Sequence, residues 1–244
     1  MREVMVDSMA LIPQGGVIVG DMVVIADLHI GYEASDNPSG LAALSLEPVK
    51  EKLRTIRENY LPEVLVVAGD VKHSFTKARG REWEAVRDGI RFMSSLFPEV
   101  RIIRGNHDNY LINIIKRLKD EGVDNISWYE EWINGELRIF HGHFDFYEDG
   151  VWNIMGHEHP ALELGDRVGE RKIPAFIVDN KRKIVVLPAF SPVMYGVDAR
   201  EIINGNGLSP LWHEKRNNCT IYATDGKELY PVDHSAAMRI LPLS

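Results

Sequence analysis

Residues 64–70 read VLVVAGD, and this stretch decides the fold class. Five apolar residues, three of them valine, lead directly into Gly69 and Asp70. A short apolar run rich in β-branched residues and bounded by turn residues is typical of a strand buried on both faces. In α/β proteins the carboxyl end of such a strand opens onto the edge of the sheet where ligands bind. Asp70 is therefore predicted to lie at a ligand-binding edge.

Four further apolar runs end in polar residues. Asp27-Leu28-His29 follows Val23–Ala26, Gly105-Asn106-His107-Asp108 follows Val100–Ile103 after Arg104, His141-Gly142-His143 follows Leu137–Phe140, and Gly156-His157-Glu158-His159 follows Val151–Met155. Each motif alone has an ordinary explanation, because Gly-Asp is common in turns, Asp and Asn cap helices, and single histidines mostly lie on surfaces. All five at strand ends predict one crevice that holds carboxylates, imidazoles and an amide oxygen. The glycines that precede the polar residue in three motifs permit the tight turns that such a crevice needs.

The segments between these motifs predict an α/β fold. Amphipathic helices are predicted over Pro48–Tyr60, Arg81–Phe97 and Asn109–Asp120, and their βαβαβα alternation with strands favours a largely parallel sheet covered by helices. After residue 125 the pattern favours strands in a second sheet that packs on the first. These strands are Ile126–Tyr129, Ala175–Val178, Ile184–Leu187 and Thr220–Ala223, with hairpin turns at Asn180–Lys181 and Asp225–Gly226. Residues 191–218, rich in Gly, Asn and Pro, are predicted to be irregular and have no assigned place.

Composition narrows the class of protein. The 244 residues, 45% of them hydrophobic, suit a single domain over residues 1–244 with a sizeable core. Cys219 is the only cysteine, which excludes an internal disulfide and any multi-cysteine metal site. No apolar stretch has the length of a signal-peptide core or a bilayer span, so a cytoplasmic protein with no membrane partner is expected. The chain has a net charge of −8 and no basic stripe of the kind that non-specific nucleic-acid binders carry. Bound cations would reverse the local charge of a metal site, so the net charge does not exclude a phosphate substrate.

The predicted crevice has the ligand chemistry of a transition-metal site. Its donors are carboxylate oxygens, imidazole nitrogens and an amide oxygen, with no thiolate. That mixed set suits Mn²⁺, Fe, Zn²⁺ or Ni²⁺. Mg²⁺ suits it less, because this ion prefers oxygen ligands and retains several waters.

The five motifs resemble those of the calcineurin-like metallophosphoesterase superfamily and run in the same order over residues 27–159. The longer strings DLHIGYE (27–33), GDVKH (69–73) and GHEHP (156–160) further resemble the small archaeal SbcD-related phosphoesterases and the bacterial DNA-ligase-associated phosphoesterases. The resemblance implies a four-layer α-β-β-α sandwich, with two mixed β-sheets flanked by helices. This architecture agrees with the strand-rich second half of the chain.

The resemblance also implies the roles of individual residues around two divalent metal ions, in first place manganese. Asp27, His29 and His159 would hold one ion, and Asn106, His141 and His157 the other. Asp70 and a water or hydroxide would bridge the two ions, and the hydroxide would attack phosphorus in line. His107 would be the general acid that protonates the leaving oxygen, and Asp108 would orient His107 or stabilise its charge. Structural support of its loop is the alternative role for His107.

Three further residues are candidates for substrate contact. His141 is favoured over His143 as the metal ligand because it comes first after its strand, which leaves His143 to touch substrate or to exchange roles with it. His73 lies three residues after Asp70, where a short loop could aim it into the crevice, although a solvent-facing position is equally expected. Arg104 precedes the Asn106 loop and could meet a phosphate, or it could lie on the surface.

The sequence leaves three functions open. The first hypothesis is a phosphodiesterase or nuclease that acts on nucleic acid or a nucleotide, and the second is a phosphomonoesterase that acts on a small metabolite or nucleotide. The third, a non-catalytic scaffold, ranks last because all seven implied ligands and His107 are present. Substrate choice is expected to depend on loops 31–46, 71–80, 143–150 and 191–218, and the sequence does not indicate an oligomeric state.

Overall fold

The computed structural model describes residues 2–32, 46–166, 169–194 and 196–232. Within them, two mixed β-sheets pack face to face, and three helices cover the outer face of the first sheet. This arrangement confirms the predicted fold class. Most of the predicted substrate loop 31–46, including Glu33, lies outside the described residues. No helix in these ranges is long and apolar enough to cross a membrane.

The first sheet has seven strands in sequential order. They are β1 (Val4–Val6), β2 (Met9–Ile12), β3 (Gly16–Val19), β4 (Met22–Ile25), β5 (Val64–Ala68), β6 (Glu99–Ile103) and β7 (Ile126–Tyr129). Strands β4 to β7 are parallel, as the βαβ pattern predicts for β4 to β6, whereas β1 to β4 form an antiparallel meander. The expectation of a largely parallel sheet was therefore wrong for the N-terminal strands. These strands have only three or four residues each, too few to show a clear two-residue period. The expectation that Ile126–Tyr129 belongs to the second sheet was wrong, because this strand pairs with β6 in the first.

The three helices are α1 (Leu46–Tyr60), α2 (Gly80–Leu96) and α3 (Leu111–Asp120), within two residues of the predicted bounds. Each buries an apolar stripe at helical spacing. In α1 the stripe is Val49, Leu53 and Ile56, and in α2 it includes Val86 and Ile90. These side chains share one core with the outward-facing residues of β4, β5 and β6, so the helices fix the positions of the parallel strands.

The second sheet has eight strands. They are β8 (Trp132–Asn134), β9 (Leu137–Phe140), β10 (Trp152–Met155), β11 (Ala161–Asp166), β12 (Gly169–Asp179), β13 (Ile184–Val186), β14 (Cys219–Thr224) and β15 (Leu229–Val232). Strand β10 runs parallel to both β9 and β13, and the other pairs are antiparallel. The β11–β12 hairpin was not predicted.

The segment 191–218, which the sequence left unplaced, covers the outer face of the second sheet. It contains the helical turns Ala199–Glu201, Ile202–Asn206 and Pro210–Trp212. Ile202, Leu211 and Trp212 are buried in a core with strand residues of the second sheet. This segment therefore supplies the fourth layer in place of a long helix.

Strand register brings the polar motifs to one place. Ile25 of β4 pairs with Val67 of β5, and Val67 pairs with Ile102 of β6, so three motif loops leave the first sheet at one level. In the second sheet Phe140 of β9 pairs with Met155 of β10, which aligns the two histidine motifs. The carboxyl ends of five parallel strands therefore converge where the two sheets meet.

Candidate metal centre

Three groups of side chains lie within reach of a metal ion. The two that contain predicted ligands only are Asp27, His29, Asp70 and His159, the first group, and Asp70, His141 and His157, the second. The third consists of His29, His73 and His107 and overlaps the first at His29. The ligand atoms of each group lie within 4.8 Å of one another. Asn106 adjoins the second group, because its Oδ1 lies 2.9 Å from His141 Nε2. The structure thus brings all seven predicted ligands together, and Asp70 belongs to both the first and the second group.

The two aspartates divide their carboxylate oxygens in the same way. Asp27 Oδ2 accepts a hydrogen bond from the His157 backbone N–H at 3.0 Å, and its Oδ1 lies 3.2 Å from His159 Nε2. Asp70 Oδ1 accepts from the His107 backbone N–H at 2.9 Å, and its Oδ2 lies 3.4 Å from His141 Nε2. In each case one oxygen holds the next motif loop in place and the other faces the histidine rings.

The geometry at His141 distinguishes it from His143. His141 Nδ1 lies 3.0 Å from the Ala68 carbonyl oxygen, which can only accept, so Nδ1 carries the proton and Nε2 points to Asn106 and Asp70. Such a second hydrogen bond fixes the ring of a ligating histidine. His143 lies outside all three groups, with its ring centroid 5.3 Å from that of His141 and 4.2 Å from that of Phe144.

Backbone geometry at the site is unusual for residues with side chains. Positive φ angles occur at five of the seven predicted ligands, namely Asp27 (58°), His29 (43°), Asp70 (52°), His157 (71°) and His159 (47°). Non-glycine residues seldom adopt this region, and such strain concentrates at functional sites. Hydrogen bonds between neighbouring loops hold this backbone conformation in place. The His29 N–H donates to the Asp70 carbonyl at 2.9 Å, and the Asp27 N–H donates to the Gly69 carbonyl at 3.1 Å.

Two glycines are required for different reasons. Gly69 has a φ of 88°, as a tight turn requires, and a Cβ there would also overlap the His141 ring. The φ of Gly105 is not positive, so the predicted tight turn does not explain it. A Cβ at Gly105 would instead overlap Asp70 Oδ1 and the Asp70 backbone nitrogen. Close approach of two motif loops therefore requires this glycine.

The electrostatics of the cluster keep several ring nitrogens unprotonated. Burial, reinforced by neighbouring histidines, lowers the pKa of His29 to about 3 and that of His157 to about 4. Burial alone would raise the pKa of Asp70, but the adjacent histidines, His141 foremost, hold it far below its usual range. For His141, burial acts to lower the pKa, yet the two carboxylates raise it to about 9. Burial also acts to lower the pKa of His159, yet the carboxylates, Asp27 foremost, raise it. The cluster thus combines ionised carboxylates with two neutral imidazoles, His29 and His157, and two that the carboxylates favour in the charged form.

His107 lies at the border of the cluster. Its Nε2 is 3.8 Å from Asp70 Oδ2, and its Nδ1 contacts the backbone carbonyl of His73. Because that carbonyl can only accept, Nδ1 carries a proton and Nε2 is the nitrogen that faces the cluster. The ring of His73 lies 5.6 Å from that of His107 and 5.5 Å from that of His29, so the 71–80 loop does aim His73 at the crevice.

Asp108 does not contact His107 directly. Its carboxylate accepts hydrogen bonds from the backbone N–H groups of Lys72 at 3.2 Å and Gly105 at 3.0 Å, and within the described residues it accepts none from His107. Burial, together with the Asp70 charge, raises the pKa of Asp108 to about 7. The predicted orienting effect on His107 would therefore act through the loop backbone.

Arg104 lies beside the cluster rather than within it. Its guanidinium donates to Glu130 Oε1 at 3.2 Å and to Asn109 Oδ1 at 3.1 Å. With these residues it lines a groove of about 830 Å³ that also contains Phe75. The ring of Phe75 stacks on His107 with centroids 3.7 Å apart.

Sequence reasoning missed three buried charged residues that shape the motif loops. Lys72 is fully buried, and its Nζ donates to the carbonyls of Ser74 and of Thr76, the latter at 2.9 Å. Glu82 accepts from the Ser74 N–H and hydroxyl, both at 2.8 Å. Glu158, between two predicted ligands, accepts from the backbone N–H groups of Leu208 and Ser209 at 2.9 and 2.6 Å. Glu158 and Lys72 stand inside the motif strings GHEHP and GDVKH, but nothing in these strings indicated burial, and Glu82 lies outside every motif.

The donor set fits divalent metal ions. His29 Nε2 and His159 Nε2 lie 3.2 Å apart, and Asp27 Oδ1 is buried without a hydrogen-bond partner among the described residues. Lone pairs that converge from several buried side chains are stabilised by a shared cation. Nitrogen and oxygen donors without thiolate suit Mn²⁺, Fe, Zn²⁺ or Ni²⁺.

Comparisons with known proteins agree with this geometry. The sequence model for the calcineurin-like phosphoesterase family matches residues 21–187. No curated protein sequence matches the chain. Among solved structures, the nuclease MPE of Pseudomonas putida is 21% identical, with a TM-score of 0.65, and the match covers 92% of this chain and 94% of that one. YfcE, a phosphoesterase from E. coli, is 13% identical with a TM-score of 0.40, covering 86% and 97%. At these identities the likeness concerns the fold.

Proposed function

The chain belongs to the calcineurin-like phosphoesterase family, and on this premise we propose that it is a binuclear metal-dependent phosphodiesterase. Its substrate is a nucleic acid or a nucleotide. Asp27, His29 and His159 would hold one divalent ion, Asn106, His141 and His157 would hold the other, and Asp70 would serve both. Manganese is the metal that we would supply first, with Fe, Zn²⁺ and Ni²⁺ as alternatives.

The observation that carries this proposal is the shared orientation of Asp27 and Asp70. Each fixes a neighbouring loop with one oxygen and presents the other oxygen to histidine nitrogens, at 3.2 Å for Asp27 and 3.4 Å for Asp70. Ion pairing would account for His141 and His159, whose pKa the carboxylates raise, but not for His29 and His157, which burial keeps neutral in the same cluster. Two divalent ions supply, when bound, the Lewis acidity that activates water and neutralises phosphoryl oxygens.

The chain's own residues supply the proton transfer. His107 donates a proton from Nε2 to the leaving oxygen while the His73 carbonyl holds the ring through Nδ1. His107 Nε2 lies 3.8 Å from Asp70 Oδ2, which places the proton-donating nitrogen at the edge of the candidate metal centre. Asp108 holds the loop on which His107 stands, through its bonds to the Lys72 and Gly105 backbones.

A diester is favoured over a monoester because the site is open to one side and continues into a groove. A diester carries a second organic group on a non-leaving oxygen, so it needs room for two organic groups at the phosphorus, and the groove that starts at Phe75 has room for the one on the His107 side. The Pseudomonas putida protein with this fold is a nuclease, which makes nucleic acid the first diester to test.

The experiment compares two chromogenic esters after the protein has been stripped of metal with a chelator. We expect Mn²⁺ to restore hydrolysis of bis(p-nitrophenyl) phosphate in preference to p-nitrophenyl phosphate. Loss of the general acid in His107→Ala should lower the rate for a dinucleotide by about 10²- to 10⁴-fold, because its leaving alkoxide needs a proton whereas p-nitrophenolate leaves without one. His213→Ala, which removes an exposed histidine outside the cluster, is the matched control and should match wild type.

Other results would contradict the proposal in distinct ways. Hydrolysis of the monoester alone would transfer the function to a phosphomonoesterase. Equal rates of dinucleotide hydrolysis in His107→Ala and wild type would remove the general-acid role. Two bound metals per chain without turnover of either ester or of an oligonucleotide would favour the scaffold hypothesis.

A further inference from the structure

The groove beside His107 combines exposed aromatic rings with positive charge. Its lining residues are Phe75, Thr76, Lys77, Arg79, Arg104, Asp108, Asn109, Tyr110, Ile112, Trp128 and Glu130. Phe75 is 58% exposed and Tyr110 is 57% exposed, which is unusual for large apolar side chains. At about 830 Å³ the groove has the size of small-ligand clefts, which span about 300–1,000 Å³.

The charge of the groove is suited to a polyanion even though the whole chain is acidic. Lys77 and Arg79 are exposed and form no ion pair with any described residue. Arg104 is partly neutralised by Glu130 at 3.2 Å, and Asp108 is buried beneath the surface. Exposed cations beside exposed aromatics are the combination that binds single-stranded nucleic acid, since the rings stack on bases and the cations contact phosphates.

The Asn109 side chain links the groove to the candidate metal centre. Asn109 Nδ2 donates to the Asn106 carbonyl at 3.1 Å and to the Phe75 carbonyl at 3.4 Å, which ties the aromatic loop to a motif loop. Tyr110 has a φ of 69°, a strained conformation for an aromatic residue, and it directs the chain into α3 from the rim of the groove. The groove is therefore joined to the loop that carries His107.

We propose that this groove binds the part of a single-stranded nucleic acid on the leaving-group side of the scissile phosphate. The base nearest that phosphate stacks on Phe75, a second base stacks on Tyr110, and backbone phosphates contact Lys77 and Arg79. The assignment of the groove to the leaving-group side of the strand rests on the proposed function, because Phe75 stacks on the histidine that protonates the leaving oxygen. A single strand fits better than a duplex, since bases in a duplex are already stacked on one another.

Binding is tested without chemistry, so that it does not depend on turnover. The full chain is titrated, in the presence of chelator, against a fluorescein-labelled oligodeoxythymidylate of about eight nucleotides, and anisotropy is recorded. We expect Phe75→Leu and Tyr110→Asn each to raise Kd by about tenfold, because each removes one stacking ring. Asparagine tolerates the left-handed backbone at residue 110, so the second variant keeps its fold. Phe75→Tyr, which retains an aromatic face, should bind as wild type does.

Charge is tested by salt dependence. Lys77→Ala and Arg79→Ala each remove one cation that binds a phosphate, so each should make the slope of log K against log salt shallower by about 0.7. Lys181→Ala removes an exposed lysine outside the groove and is the matched control. A Leu61→Ala variant removes an equally exposed apolar side chain and controls for Phe75→Leu.

Three outcomes would overturn the inference. These are unchanged affinity in both Phe75→Leu and Tyr110→Asn, equal weakening of binding in Phe75→Leu and Phe75→Tyr, and tighter binding of a duplex than of the single strand. Failure here is separable from failure of the proposed function. A chain that hydrolyses the small diester but binds the oligonucleotide independently of the groove retains its function and loses this site. A chain that binds the oligonucleotide through the groove but hydrolyses no ester keeps this binding site and loses the proposed function.

Discussion

At the scale of single residues, the site depends on contacts between motifs as much as on the motifs themselves. Asp70 supports the loop of His107 through one oxygen, and Asp27 supports that of His157 in the same way. A ligand that also positions another loop cannot be replaced without displacing its neighbour. Such arrangements hold a site within the small tolerance that metal chemistry requires.

Gly105→Ala tests whether this close approach is essential. The new methyl group would overlap Asp70 Oδ1 and the Asp70 backbone nitrogen, so the carboxylate must move. We expect the amount of bound metal, measured by elemental analysis after Mn²⁺ loading, to fall below half of the wild-type value, and activity with it.

Gly122→Ala is the control for this prediction. Gly122 has a φ of 87°, but a Cβ there would meet no atom within 4 Å. It should therefore cost about 1–2 kcal/mol of backbone strain while metal content stays at the wild-type value. Equal metal content in both variants would show that the overlap is relieved by a harmless shift.

The sequence located the candidate ligands but not their backbone geometry. Asp27, Asp70 and Asn106 were predictable because each follows an apolar run, and strand ends share an edge. The positive φ angles of Asp27 and His29 could not be predicted, because they depend on hydrogen bonds to the distant 69–71 segment. For the same reason the role of Gly105 was attributed to a turn rather than to contact with Asp70.

At the scale of elements, buried charges that carry no sequence signal shape the loops. Lys72 anchors the 72–76 turn from inside, and Glu82 at the start of α2 holds the same turn from the other side. This turn carries both His73 and Phe75. A lysine and a glutamate among many others give no hint of burial, so only the packing of α2 against the loop reveals them.

Helix α1 contains a second cation, the partly buried Lys52, and it predicts a pH dependence of stability. Lys52 Nζ donates to the Phe190 carbonyl at 2.9 Å and lies 4.6 Å from the centre of the Phe190 ring. Burial lowers the pKa of Lys52 from its ordinary 10.5 to about 8. Above pH 8 the folded chain releases this proton while the unfolded chain keeps it, so the unfolded state binds more protons. Lys52 therefore makes the free energy of unfolding rise with pH between about 8 and 10.5.

Urea unfolding of Lys52→Met at several pH values checks this sign. Methionine retains the apolar stem and has no charge, so the variant should lack the rise that Lys52 contributes. We expect its stability relative to wild type to be greatest below pH 8 and to decline as the pH approaches 10. Lys119→Met, at an exposed position on α3, should show a constant difference from wild type. A constant difference for Lys52→Met as well would mean that Lys52 is fully solvated.

At the scale of the whole molecule, the predicted and observed layers differ in the segments whose sequence shows no clear helical or strand period. The parallel strands and three helices were predictable because runs of four to five apolar residues alternate with long amphipathic segments. The antiparallel strands Val4–Val6, Met9–Ile12 and Gly16–Val19 have three or four residues each and no amphipathic helix between them, and the segment that forms the fourth layer has no regular period. Its position follows instead from tertiary contacts, such as those of Glu158 with Leu208 and Ser209.

The candidate centre also joins the two sheets. The His141 ring, which follows β9 of the second sheet, donates to the Ala68 carbonyl at the end of β5 in the first sheet. The His157 N–H in turn donates to Asp27, which follows β4. Metal ions held by ligands from both sheets would therefore oppose separation of the sheets as well as disorder of the loops.

Metal binding should consequently raise the thermal stability of the whole fold. A ligand that binds only the folded state stabilises it by about 2.7 kcal/mol when its free concentration is 100 times its Kd. For a chain of this length each kcal/mol corresponds to about 2–4 °C, so saturating Mn²⁺ should raise Tm by about 5–10 °C over chelator-treated protein. Scanning calorimetry should show this as a shift of one cooperative transition, since both sheets share the ligands. Asp70→Asn should lose the shift, while Asp88→Asn, at an exposed position on α2, should keep it. A Tm that Mn²⁺ leaves unchanged in the wild-type chain would mean that the His/Asp cluster holds protons rather than metal.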